Sequence, residues 1–267
     1  MVVWPAMTTR NDIGKAGELK LATRKTLMRA FGALEPHVPA NVKIKARETL
    51  PRSVVRYIDP GWHRRGIGGM WDVLGELQFT YLVDHGLEPH HRLLDVGCGA
   101  LRGGWRFIEY LDEGGYYGID KKKFLFEAGR DLELRPRGLL EKRPVLAELE
   151  NFEFGTLRQS FDYALAQSVF THLTINQIIR CIVEMERVLV PGGKFYATYY
   201  ENLNGARNID DIEQKPGLFT HFDRDYFHYD YSTFEWIVQG TKMSVVNMGN
   251  WDNPRNQQML EFTRQPD

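Results

Sequence analysis

The stretch Leu93-Leu94-Asp95-Val96-Gly97-Cys98-Gly99 constrains this chain more than any other. Its apolar residues suit a short strand covered on both faces, as in a parallel sheet. The strand ends at an acid and breaks into two glycines, which turn the backbone sharply and leave room where a Cβ would clash. An acceptor beside a glycine turn, at the carboxyl end of a strand, is how open α/β sheets build nucleotide sites. A fold organised around it needs further strands alternating with helices.

The chain supplies them. Residues 70–85 carry Trp71, Leu74, Leu77, Gln78, Tyr81 and Leu82 at helical spacing, with Gly86 as the stop. After the glycine turn a helix is expected over 103–110, then a second strand over 116–120 that closes on Asp120. A charged helix over 121–135, a third strand over 145–149 and a fourth over 162–166 follow, the last ending at Gln167-Ser168. Residues 174–189 have a clean helical period, and Pro191-Gly192-Gly193 leads into a fifth strand over 194–200. An acidic, aromatic connection covers 201–231, and Ser232-Thr233-Phe234-Glu235 reads as a capping box. Residues 243–248 and 258–263 read as paired strands around a tip holding Trp251, Asp252 and Arg255. This order predicts an α/β fold: a doubly wound, mostly parallel sheet with an antiparallel edge hairpin.

The N-terminal part differs. Residues 11–31 read as an amphipathic helix and 41–58 show no clear period. Residues 1–65 hold roughly 13 Lys/Arg against 5 Asp/Glu, about +8, so the remainder carries about −9. The expected division is a basic helical arm or lid over 1–65 and one domain over 66–267. The arm's charge is either a solvated helix face or a surface for an acidic substrate or phosphate. Two lone cysteines, Cys98 and Cys181, make neither a disulfide framework nor a zinc site, which fits a reducing cytoplasm. No apolar run reaches membrane-spanning length, and the opening ten residues are too polar for a secretory leader.

Two cofactors use such a sheet. A dinucleotide loop wants G-x-G-x-x-G, but the third position here is Arg102, where a side chain is expected to obstruct helix packing and a pyrophosphate. Asp120, about 25 residues on from Asp95, nevertheless stands where a ribose acceptor belongs. S-adenosylmethionine has no phosphate and carries a sulfonium and an amine, so it needs acceptors, and Asp95 suits it. Over roughly residues 71–200 the chain resembles the class I S-adenosylmethionine-dependent methyltransferases, a Rossmann-like family. Asp95 to Gly99 resembles its first motif and Tyr116 to Asp120 its second strand. Gln167 to His172 resembles the loop after its fourth strand, and Pro191-Gly192-Gly193 its entry to the fifth. The third glycine of many members falls on Leu101 here, with Gly103-Gly104 following.

The resemblance implies that Gly97, Gly99 and the Leu101 position line the methionine portion of the cofactor, with Asp95 near its amino acid end. It implies that Asp120, followed by Lys121, takes the ribose, a role compatible with capping the next helix. Glu150, Asn151 and Phe152 follow the third strand, where the family contacts adenine; a surface turn is the alternative. Gln167 and Ser168 end the fourth strand beside the reacting methyl group, or simply cap the next segment. His172 is the candidate general base for a hydroxyl acceptor; otherwise it caps the helix from Thr174 or packs on Phe170. Tyr199, Tyr200 and Glu201 leave the fifth strand at its carboxyl end, which puts them on the acceptor side or in a bonded rim; Trp251, with Asp252 and Arg255, either reaches the site from the hairpin tip or closes a tight structural loop. No metal is expected: the histidines and aspartates of 221–230 are interleaved with aromatic residues, which favours a packed cover.

The expected activity is transfer of methyl from S-adenosylmethionine to a hydroxyl of a sugar, glycan or secondary metabolite, with His172 as base. The alternatives are methylation of nitrogen on a small molecule and a non-catalytic cofactor-binding scaffold. No nucleic acid partner is expected, because the basic arm lacks interleaved aromatics and Gln167-Ser168-Val169-Phe170 replaces an Asn-Pro-Pro-Tyr type motif. The sequence leaves the oligomeric state open.

Overall fold

A computed structural model describes residues 61–202 and 206–266. Residues His63–Asp267 form one compact unit. The helix expected over 11–31, the irregular stretch 41–58 and nearly all of the expected basic arm lie outside the described residues.

Two helices lead in, α1 (Trp62–Gly66) and α2 (Trp71–Asp84). Gly86 ends the second with φ +96°, and Leu87 N–H closes the turn on Leu82 O at 2.9 Å. Strand β1 (Leu93–Val96) follows, then α3 (Gly104–Tyr110), β2 (Tyr116–Asp120) and α4 (Lys123–Gly129). The charged helix is shorter than expected. It passes into a π-helical turn at Arg130–Leu134 and a 3₁₀ turn at Arg135–Arg137, where Pro136 offers no N–H to continue. Then come β3 (Val145–Glu148), β4 (Phe161–Ala166), α5 (Ile175–Val188) and β5 (Leu189–Tyr199). Strand β5 starts before the Pro-Gly-Gly segment, which interrupts its register with β4 between Phe161↔Leu189 and Tyr163↔Lys194.

The connection after β5 is not merely a cover loop. It contains a small hairpin, β6 (Ile212–Lys215) and β7 (Leu218–Thr220). Helix α6 (Tyr231–Ile237) begins two residues earlier than the expected capping box, with Asp230 in extended conformation at its N-cap. The edge strands are β8 (Met243–Asn250) and β9 (Gln258–Arg264).

The seven-stranded sheet has the order β3-β2-β1-β4-β5-β9-β8. The first five strands are parallel, while β9 pairs antiparallel with β5 and β8 antiparallel with β9. It is the expected doubly wound sheet with an antiparallel edge. Strand alternation splits β1 between two cores. Leu94 and Val96 join Ile182, Met185 and Phe262 on the α5 face, and Leu93 joins Phe107 and Leu82 on the face of α2 and α3. Asp95 alternates to the second face. The strand order reverses between β1 and β4, so the loops after these strands open into one crevice at the carboxyl edge. Pairing of Tyr199 with Gln258 brings residues 251–257 to that edge. Among the described residues no helix is long and apolar enough to cross a membrane.

Candidate functional site

A cavity of about 510 Å³ occupies the crevice. The turn after β1 forms its floor. Gly97 and Gly99 take φ +71° and +54°, where an L side chain is strained, and a Cβ on Gly97 would lie 2.7 Å from Val169. Leu101 adopts φ +66° without being glycine. It is fully buried and packs with Phe107 and Leu134 rather than facing the cavity, because that core sits behind the turn. The expected contact of Leu101 with the cofactor therefore reduces to a backbone that follows a glycine-like path.

Arg102 does not obstruct helix packing as expected. Clearance comes from neighbouring helices instead: a Cβ on Gly75 would lie 2.6 Å from Arg102 O, and one on Gly129 2.5 Å from Ala100 O. The Arg102 side chain turns into the cavity wall.

A buried acid and a half-buried one flank the turn. Asp95 accepts from Tyr116 Oη at 2.6 Å; burial raises its carboxyl to about 6, Asp120 adds to the rise, and Tyr116 and Arg102 oppose it. Asp120 accepts from Gly99 N–H at 3.0 Å and Lys122 N–H at 2.7 Å, tying the ends of β1 and β2 together. Burial still holds it above the ordinary carboxylate range. Cys98 lines the cavity, but burial pushes its thiol up and keeps it neutral.

Lys121, Glu150 and Phe152 line the side below β2 and β3, together with Leu149. Asn151 does not: its carbonyl accepts from Arg180 Nε at 3.0 Å on the outer surface.

The β4 end is a hydrogen-bonded assembly. Gln167 Oε1 accepts from Gln78 Nε2 at 3.1 Å and from Arg102 Nη2, and Gln167 Nε2 donates to Ser168 Oγ at 2.7 Å. Ser168 Oγ in turn donates to Gln257 Oε1 at 2.9 Å, and Ser168 N–H to Thr198 Oγ1 at 2.7 Å. These bonds hold Ser168 at φ +57°, a strained conformation of the kind found where a fold fixes a site. Gln167 and Ser168 line the cavity, and Gln257 stands behind them, almost wholly buried.

His172 and Asp225 meet at the mouth, both lining the cavity. His172 Nδ1 is 2.7 Å from Asp225 Oδ1 and 2.8 Å from Oδ2, so Nδ1–H donates and Nε2 is left as the basic nitrogen. Phe227 N–H to Thr171 O at 2.8 Å, and Tyr229 Oη to Leu173 O, lock the two segments together. Tyr226 stacks obliquely on His172 with ring centroids 4.9 Å apart.

The four expected acceptor contacts lie elsewhere. Tyr199 is buried against Phe234 on the α5 side and bonds Glu201 at 3.2 Å. Tyr200 lies behind Tyr226, with centroids 6.1 Å apart. Trp251 is buried against Tyr81, its Nε1 donating to Gln257 O at 2.9 Å. None of them, nor Glu201, lines the cavity. Strand alternation and the closing cover turn them into the wall's backing. Asp225, Tyr226, Gln177 and Arg255 take the exposed positions. The remaining histidines of this segment have separate partners, His221 with Asp211 at 2.7 Å and His228 with Thr220 at 3.0 Å.

Residues 94–195 match a family model described as a methyltransferase domain. The fold is similar to several solved structures. An S-adenosylmethionine-dependent methyltransferase from Clostridium acetobutylicum has TM-score 0.57 at 10% identity, covering 79% of this chain and 98% of that one. An amino pentose methyltransferase from Micromonospora echinaspora, solved with S-adenosylmethionine bound, has TM-score 0.54 at 14% identity, covering 75% and 94%. Magnesium protoporphyrin IX methyltransferase from Synechocystis PCC 6803 has TM-score 0.52 at 14% identity, covering 73% and 82%.

Proposed function

We propose that this chain, whose residues 94–195 match a methyltransferase domain model, transfers methyl from S-adenosylmethionine to a hydroxyl of a small polar acceptor. The acceptor is a sugar, glycan or secondary metabolite. The observation that carries this reading is the His172–Asp225 pair in the wall of the same cavity as the Asp95–Gly99 turn.

The residues present fit the donor. The turn at Gly97 and Gly99 exposes bare backbone to the cavity, Asp95 offers an acceptor to an ammonium, and Asp120 keeps lone pairs for ribose hydroxyls. Lys121, Glu150 and Phe152 surround the adenosine end. When bound, the donor supplies an electrophilic methyl on sulfonium.

The chain's own part is alignment and proton removal. Holding two reactants in line supplies roughly 7–11 kcal/mol of a displacement barrier. A hydroxyl nucleophile also loses its proton. His172 Nε2 takes it, with Asp225 fixing the tautomer and stabilising the imidazolium that forms. The amides Gln78, Gln167 and Gln177, with Asp225 and Tyr226, give the cavity the hydrogen bonds and one aromatic face that a polyol requires.

The test is methyl transfer from S-adenosylmethionine to a panel of sugars, aminosugars and phenols, read as S-adenosylhomocysteine released. Hydroxyl acceptors should turn over, and His172→Ala should lower kcat with donor affinity intact. Turnover confined to amines, indifferent to His172, would replace this reading with nitrogen methylation.

A further inference from the structure

Arg102 and Arg255 line the same cavity, and neither has a carboxylate partner among the described residues. Arg102 is 7% exposed; its Nη1 donates to Gly69 O at 3.1 Å and Ile67 O at 3.4 Å, and its Nη2 to Gln167. Its Nε is buried with no acceptor. Arg255 Nη2 donates to Gly68 O in the same segment. These carbonyls and one amide satisfy hydrogens but neutralise no charge. A buried cation without a counter-charge is costly to a fold. Burial, and then the nearness of Arg255, bring the Arg102 guanidinium down to about 10, with only Asp95 opposing. Arg102 thus stands between an acid on one side and a second cation on the other.

We propose that Arg102 and Arg255 form a binding site for an oxyanion, of the carboxylate or phosphate class, in the cavity wall between the glycine turn and the β8–β9 connection. The guanidinium fork is the protein group best matched to such an anion. Two sources carry that chemistry here: the amino acid carboxylate of the methyl donor, or an acidic group on the methyl acceptor. The first source rests on the methyltransferase reading. Merely strapping Ile67 to Gly69 would explain the hydrogen bonds but not two guanidinium groups in one wall with no carboxylate bonded to either.

Two binding measurements decide it. The first compares S-adenosylhomocysteine with its decarboxylated analogue by calorimetry. A donor carboxylate in the site makes the analogue weaker by about tenfold or more. Arg102→Gln then narrows the gap to within about threefold, which a strap alone would not do. The second titrates inorganic phosphate into protein saturated with S-adenosylhomocysteine and follows Tm. An acceptor anion in the site gives a saturable rise that Arg255→Gln removes. Either result supports the site and names its source. Equal binding of the two nucleosides, with no phosphate shift sensitive to Arg255, overturns it. Should Arg102→Gln fail to fold, the native comparison and the half-buried Arg255 still decide. If native protein binds neither nucleoside, the methyltransferase reading fails, and the phosphate titration without nucleoside still judges the anion site.

Discussion

The two ends of the cavity are built by different means. The end proposed to hold the donor is mostly backbone: a glycine turn after β1 tied to the end of β2 through Asp120 and Gly99, 21 residues apart. The rest of the wall, where we place the acceptor, is mostly side chains delivered from far along the chain. Gln167 meets Arg102 across 65 residues, His172 meets Asp225 across 53, and Arg255 meets Gly68 across 187. Turn chemistry builds the first end, whereas the second depends on long-range closure.

If the division is real, mutations at the two ends should separate cleanly. The largest effect is expected for His172→Ala, with kcat down on the order of 10²–10⁴ and S-adenosylhomocysteine affinity unchanged by calorimetry. Loss of affinity with it would show that the ends are not separable. Next, Asp120→Ala should weaken S-adenosylhomocysteine roughly 10- to 100-fold, since charge-assisted hydrogen bonds are lost. Tight binding by that variant would contradict a ribose role. Gly129→Ala should cost about 2 kcal/mol in chemical denaturation, because its Cβ would meet Ala100 O at 2.5 Å and the backbone must shift. An unchanged midpoint would mean that α4 does not hold the turn.

The smallest effect concerns pH. Burial lifts Asp95 from 3.8 to about 6. Between those values the folded chain binds the proton more tightly than the unfolded one. This carboxyl therefore favours the fold at low pH and loses that contribution as pH rises through the window. A donor ammonium prefers the ionised form. Affinity for S-adenosylhomocysteine should thus plateau above about pH 6 and fall up to about tenfold per unit below it. A flat profile from about pH 5 to 7 would place the ammonium away from Asp95.

The same contrast explains what the sequence made legible. Strands β1, β2, β4 and helix α5 announce themselves through local period and through the glycines or acids that end them, and the sheet follows from their alternation. The β6–β7 hairpin is three to four residues a side, too short for any period to mark. Asp225 as partner of His172 depends on how a 31-residue stretch folds back, which no spacing encodes. Arg102 was visible only as a missing glycine. Its placement in the wall depends on Gln78 and Gln167, two amides that carry no motif. Tyr199, Tyr200 and Trp251 looked like pocket residues because they sit at the right edge of the sheet. The cover read from the aromatic residues of 221–230 closes over that edge, and where it lands, which no spacing encodes, makes them backing.

Gly75 and Gly129 have one more implication. The room for the donor's turn is carved from two neighbouring helices, not from the turn itself. The side chains of Leu101 and Arg102 are thereby released from the duty of being small: one joins the core and the other the cavity wall. The glycines outside the motif are as closed to substitution as those within it.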